Sequence, residues 1–108
     1  MTNMIQVITT TGNREDALRI AENLVSQHLA AAVQVSGPSA SCYWWKGKMT
    51  QAEEWVCRIK TRGEYYQKLE SAILAIHPYE VPEILALPVV ASHHDYAKWV
   101  SEVTQQSD

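Results

Sequence analysis

Lysine and arginine never run together in these 108 residues. The nine basic residues are scattered, and the formal net charge is −3. A protein that neutralises phosphates needs a basic face to release their counterions, so no nucleic-acid partner is expected. A basic amphipathic helix suited to a membrane surface is missing too. The longest apolar stretch, Ile84 to Ala91, contains Pro88. It is far shorter than the roughly 20 residues that cross a bilayer, so no membrane role is expected. Cysteine is scarce: Cys42 and Cys57 are the only two, with no CxxC, which excludes a disulfide-dense scaffold. With four glycines there is no phosphate-binding glycine loop, and GxSxG and HExxH are absent. These absences argue against an enzyme. Met1 to Val7 lacks the charged and then apolar regions of a secretory signal, and the expected compartment is the cytoplasm.

What is present suits one globular domain spanning residues 1–108. The apolar fraction of 46% and charged fraction of 19% are ordinary. A chain of this size can bury roughly two-thirds of its unfolded surface without metal or disulfide staples.

The patterning predicts an α+β domain. Asn3 to Thr11 alternates as a first strand, and Gly12 breaks it. Asn13 is placed as an N-cap, followed by Glu15 and Asp16 in the first turn, where the helix dipole favours acids. Ala17, Ile20, Ala21, Leu24 and Val25 follow at helical spacing, with an end near His28. Leu29 to Val35 reads as a strand, Gly37-Pro38 as a break or bulge, and Ser41 to Trp45 as its resumption. Lys46-Gly47 is a tight turn and Met49 to Thr61 a long third strand. Thr61 is expected to cap a second helix bearing Tyr65 or Tyr66, Leu69, Ala72, Ile73 and Ile76, which Pro78 stops. Glu83 to Val90 is the fourth strand. Ser92-His93-His94-Asp95 is read as a capping box for a third helix with Tyr96, Trp99, Val100 and Val103 on its apolar face. Thr104 to Asp108 is expected to fray. The order β-α-β-β-α-β-α, with a hairpin between two β-α-β halves, is the split-βαβ or ferredoxin-like arrangement.

The hairpin is long. Each arm has about 15 residues, about 50 Å if extended, against a radius of gyration of about 13 Å for a 100-residue domain. It either bends back at Gly37-Pro38 or projects beyond its own sheet. A projecting half carries Tyr43, Trp44, Trp45, Met49 and Trp55. Such a surface is costly in water and prone to strand pairing, which predicts a homo-oligomer. With the turn at Lys46-Gly47, Cys42 and Cys57 sit about six residues apart along the ladder, or about 20 Å. That is beyond the ~7 Å a disulfide tolerates, so both are expected to be packed thiols.

His77-Pro78-Tyr79-Glu80-Val81-Pro82-Glu83 concentrates polar chemistry in a segment stiffened by two prolines. Its imidazole, phenol and carboxylates could hold a divalent metal or a small polar molecule. Equally, the segment could be a connector whose polar groups cap local backbone. On the third strand Glu54, Val56, Arg58 and Lys60 share a face, lining a polar pocket or forming a solvated surface. His93 and His94, being adjacent, point apart and do not chelate.

Three segments carry a resemblance: Leu29-Ala30-Ala31-Ala32-Val33; Tyr43-Trp44-Trp45-Lys46-Gly47-Lys48 with Glu54 and Lys60-Thr61; and His77 through Ile84. Together they resemble the CutA family of divalent-cation tolerance proteins, from Val7 to Trp99. The resemblance implies a ferredoxin-like protomer in a tight homotrimer whose long hairpins pack across neighbouring subunits. It also implies a response to copper and other divalent cations. The architecture is similar to that of nitrogen-regulatory trimers, whose inter-subunit clefts bind effectors, so an anion or metabolite cleft is the alternative. Some family members carry cysteines where this chain has Thr9, Ala32 and Ala72, leaving His77 as the expected ligand for a weakly held copper or zinc ion. The expected site is one pocket at a subunit boundary. Trp45, Glu54, Lys60, Tyr79, Glu80 and Glu83 are its ligand-binding residues, and His77 its metal ligand.

Overall fold

A computed structural model of the chain describes residues 3–104. The elements run β1 (Met4–Thr11), α1 (Arg14–Ser26), β2 (Ala32–Trp45), β3 (Lys48–Arg62), a 3₁₀ turn (Gly63–Tyr65), α2 (Tyr66–Ile76), β4 (Ile84–Pro88) and α3 (His94–Val103). The four strands form one antiparallel sheet in the order β2-β3-β1-β4, which is the ferredoxin-like arrangement.

The helices form where the sequence places their apolar stripes. Asn13 caps α1, its side chain accepting from the Asp16 N–H at 2.8 Å. The helix closes with His28 in the left-handed region, φ 60°. There the Leu29 N–H reaches the Leu24 carbonyl and the His28 N–H that of Val25, a Schellman closure. Ala17, Ile20 and Leu24 of α1, with Leu69 and Ile73 of α2, pack on Val7, Cys57 and Ile59 of one sheet face. On the opposite face α3 settles through Val100 against Met4 and Ala31. Arg62 ties it down, donating to both the side chain and the carbonyl of Thr104.

Several boundaries depart from expectation. Thr61 is a buried strand residue whose hydroxyl donates to the Leu29 carbonyl at 2.6 Å, and the second helix begins after the 3₁₀ turn instead. The capping box is not formed: His93 holds the N-cap position without a side-chain bond, and Ser92 donates to the His93 carbonyl. β4 is shorter than Glu83 to Val90: its residues paired with β1 run from Ile84 to Pro88, and beyond them the Val89 N–H still reaches the Met4 carbonyl at 3.0 Å. Thr104 is buried and bonded rather than frayed, while the rest of the tail lies outside the described residues.

The hairpin projects. β1 stops opposite Trp55, and from Glu54 to Lys48 β3 is paired only with β2. That is a two-stranded arm about 20 Å long at strand rise, and it stretches the molecule to 44 Å in its longest dimension. Its tip is the predicted two-residue turn, with Lys46 at φ 51° and Gly47 at φ 79°. Trp44 at 75% and Met49 at 63% exposure stand in water. Trp55 does not; it packs on the core. Both cysteines are free and separated along the ladder as expected, but Cys42 is exposed on the arm rather than packed.

Between Ser36↔Val56 and Ser39↔Glu54, β2 advances three residues while β3 advances two. This bulge of one residue switches the phase of β2. Before it, Ala32, Gln34 and Ser36 share a face with Lys60, Arg58 and Val56. After it, Ser39, Ser41, Tyr43 and Trp45 share that face with Glu54. Gly37 sits in the bulge because Trp55 leaves no space for a side chain: a Cβ there meets the indole at 2.7 Å.

Candidate functional site

The phase switch aims Tyr43 and Trp45 over the same face as Glu54. The loop after α2 closes the other side. His77, in extended geometry before Pro78, ends the helix. The chain then runs past the end of β1, carrying Tyr79 to Glu54. Between arm and loop lies a cavity of about 660 Å³, whose lining includes Tyr43, Trp45, Glu54, Tyr79, Glu80 and Glu83.

Glu54 is the innermost acid, 7% exposed. The Tyr79 hydroxyl donates to its Oε2 at 2.8 Å. Oε1 has no hydrogen bond among the described residues, and no cation there lies within ion-pair distance of the carboxylate. Oε1 is thus left as a free acceptor on a largely buried side chain that lines the cavity. Burial, then the hydrogen bond and charge of Glu54, push the Tyr79 phenol well above the ordinary tyrosine range. Tyr79 is therefore a fixed donor at neutral pH. At the rim the Lys46 ammonium stands 3.8 Å from Glu80 and 5.6 Å from the Trp45 ring centroid.

Two expected residues fall away from this constellation. His77 Nε2 donates to the Thr10 carbonyl at 2.8 Å, and its Nδ1 accepts from the Tyr79 N–H at 3.1 Å. Both ring nitrogens are thus used by backbone, and the only lone pair of the neutral ring is engaged. His77 thus clasps the loop, and a metal coordinated at Nδ1 would have to displace the Tyr79 N–H. Lys60 shares the Glu54 face but lies six residues along β3, about 20 Å away at strand rise. It pairs with Gln34 at the α3 end of the sheet. Burial, then the Arg58 guanidinium, lower its pKa. Within one protomer, His77 and Lys60 therefore do not line the cavity that holds the carboxylates. Among the described residues no three His, Cys, Asp or Glu side chains gather as a metal cluster. An imidazole or thiolate copper site does not fit these residues.

Tyr43 and the Thr10 backbone are site elements not named from the sequence. Tyr43 was recoverable once a one-residue bulge at Gly37-Pro38 was assumed, since that sets its phase. The Thr10 contact is a backbone carbonyl and leaves no residue-type signal.

The family profile described as CutA1 divalent ion tolerance protein matches residues 5–103. The chain belongs to this CutA1 family. The divalent-cation tolerance protein CutA of Thermus thermophilus is 37% identical over 98 residues, covering 91% of this chain and 95% of that protein. Protein CutA 1, chloroplastic, of Oryza sativa is 36% identical over 103 residues, 95% of this chain but 58% of the rice protein. The chain thus spans little more than half of that CutA relative. The crystal structure of CutA1 from Oryza sativa superposes with a TM-score of 0.93 at 35% identity, covering 98% of this chain and 97% of that one.

Proposed function

We propose that this chain is a non-catalytic, homotrimeric CutA protein that receives a cation in the cleft between its projecting arm and the His77–Glu83 loop. The observation that carries the reading is Glu54, buried at the cleft floor with one oxygen open and no cationic partner among the described residues. Divalent-cation tolerance in the family gives the ligand class. The carboxylate oxygen of Glu54 suits a hard ion that keeps several waters, held weakly, better than copper or zinc; Glu80 and Glu83 line the same cavity without gathering with it as a three-ligand cluster among the described residues. A neighbouring subunit is the natural source of further donors.

Assembly is argued from exposed apolar surface. Trp44 stands out from the arm, Leu85 and Leu87 are exposed on β4, and β2 and β4 are open sheet edges. The absence of catalysis is argued from the cleft itself: a phenol with raised pKa beside carboxylates offers no activated nucleophile or neutral-pH proton shuttle. No described helix is long and apolar enough to cross a membrane. The cytoplasm remains the proposed compartment, although the rice relative is named chloroplastic.

Light scattering at micromolar concentration should return a three-chain mass, reduced by Trp44→Asp; a monomer refutes the assembly. Calorimetric titration with manganese(II), wild type against Glu54→Gln, tests the cation. Equal affinity in the two proteins refutes the Glu54 reading.

A further inference from the structure

We propose that the cleft is built for an organic ammonium ion, with Glu54 as counter-ion and Tyr43 and Trp45 as the aromatic wall. This rests on reading the cleft as the ligand site and names the ligand class that its walls favour.

A volume of about 660 Å³ far exceeds what a hydrated metal ion needs and lies in the range of small-molecule sites. The floor holds one buried acid with an open oxygen. Its other oxygen is fixed by Tyr79, so the charge is oriented before a ligand arrives and little ordering is lost on binding. The bulge puts Tyr43 and Trp45 on the face of the arm that carries this acid, and both line the same cavity, together with Pro78 and Pro82. A carboxylate floor under aromatic faces is the chemistry that binds alkylated ammonium: the charge meets the acid and ring quadrupoles, and the alkyl part covers apolar surface. An anion meets the carboxylates of Glu54, Glu80 and Glu83, with Lys46 at the rim already paired to Glu80. The chain already uses this chemistry at the rim, where its own Lys46 ammonium lies between the Trp45 ring and Glu80. A bare divalent ion, by contrast, finds no three-ligand cluster among the described residues.

Calorimetric titration of the full chain with n-butylammonium, n-butanol and butyrate tests this, because the three match in apolar area and differ in charge. Butylammonium should bind at least about tenfold more tightly than butanol, and butyrate most weakly. Glu54→Gln should erase the preference for ammonium over butanol and leave butanol binding unchanged. Equal binding of the three probes, or an undiminished preference in Glu54→Gln, overturns the proposal. If Glu54→Gln does not fold, Tyr43→Leu keeps the carboxylate and Tyr79 in place. The ammonium preference must fall there, and an unchanged preference overturns the proposal. Manganese(II) titrated separately distinguishes this inference from the reading beneath it. Manganese binding without ammonium binding refutes only the ammonium. Ammonium binding without manganese binding refutes only the metal. Binding of neither refutes the cleft as a ligand site.

Discussion

The Tyr79 hydroxyl reaches Glu54 Oε2 at 2.8 Å and so joins the loop after α2 to the base of the projecting arm. This bond fixes the buried acid of the cleft. It also predicts a mutational asymmetry. Tyr79→Phe leaves a buried carboxylate oxygen without its donor, and should cost about 1–3 kcal/mol in urea unfolding. In Glu54→Leu the same Tyr79→Phe change should cost clearly less, because the acceptor is already gone. Equal costs in the two backgrounds contradict the coupling.

His77→Ala should leave manganese affinity unchanged while lowering stability by about 1–3 kcal/mol, since two backbone partners, the Thr10 carbonyl and the Tyr79 N–H, lose their ring nitrogens. Parallel calorimetric and urea titrations check both halves. A lost metal affinity with unchanged stability restores His77 as a ligand.

Stability should fall in mild alkali. Burial pushes the Cys57 thiol up from its ordinary 9.0 to about 11. Between these values the unfolded chain has released the proton and the folded chain still holds it, so the unfolded state binds fewer protons and stability drops as pH rises. Tyr79, also raised, acts in the same direction from about pH 10 upward. Urea midpoints between pH 8 and 11 should decline less steeply in Cys57→Ala. Identical slopes contradict the burial argument.

Gly37→Ala should destabilise by about 1–3 kcal/mol, because its Cβ meets the Trp55 ring at 2.7 Å and the Glu54 carbonyl at 3.1 Å. Thermal unfolding measures the cost. Gly37→Ala should also reduce ligand binding, since the bulge sets the phase of Tyr43 and Trp45. A neutral substitution argues that the indole can move aside.

Element order, the α1 cap, the Lys46-Gly47 turn and the long arm were all legible in the sequence, because each rests on local chemistry: a capping side chain, a turn dipeptide, a period of two. Thr61 was misread because a threonine before a polar turn resembles a cap, whereas its hydroxyl serves a carbonyl 32 residues away. The site was legible in part. Trp45, Glu54, Tyr79, Glu80 and Glu83 do meet at one cavity. The contacts of His77 were not legible, because residue type cannot reveal that both ring nitrogens meet backbone groups. Lys60 shares the strand face but stands six residues from Glu54, a separation that the strand rise already gives from the sequence.

The most direct test of the account compares manganese(II) affinity in the wild type, Glu54→Gln and His77→Ala under identical buffer. The buried carboxylate as cation receptor predicts a loss of about tenfold or more, ~1.4 kcal/mol, in Glu54→Gln and none in His77→Ala. Full affinity in Glu54→Gln, with loss in His77→Ala, contradicts it.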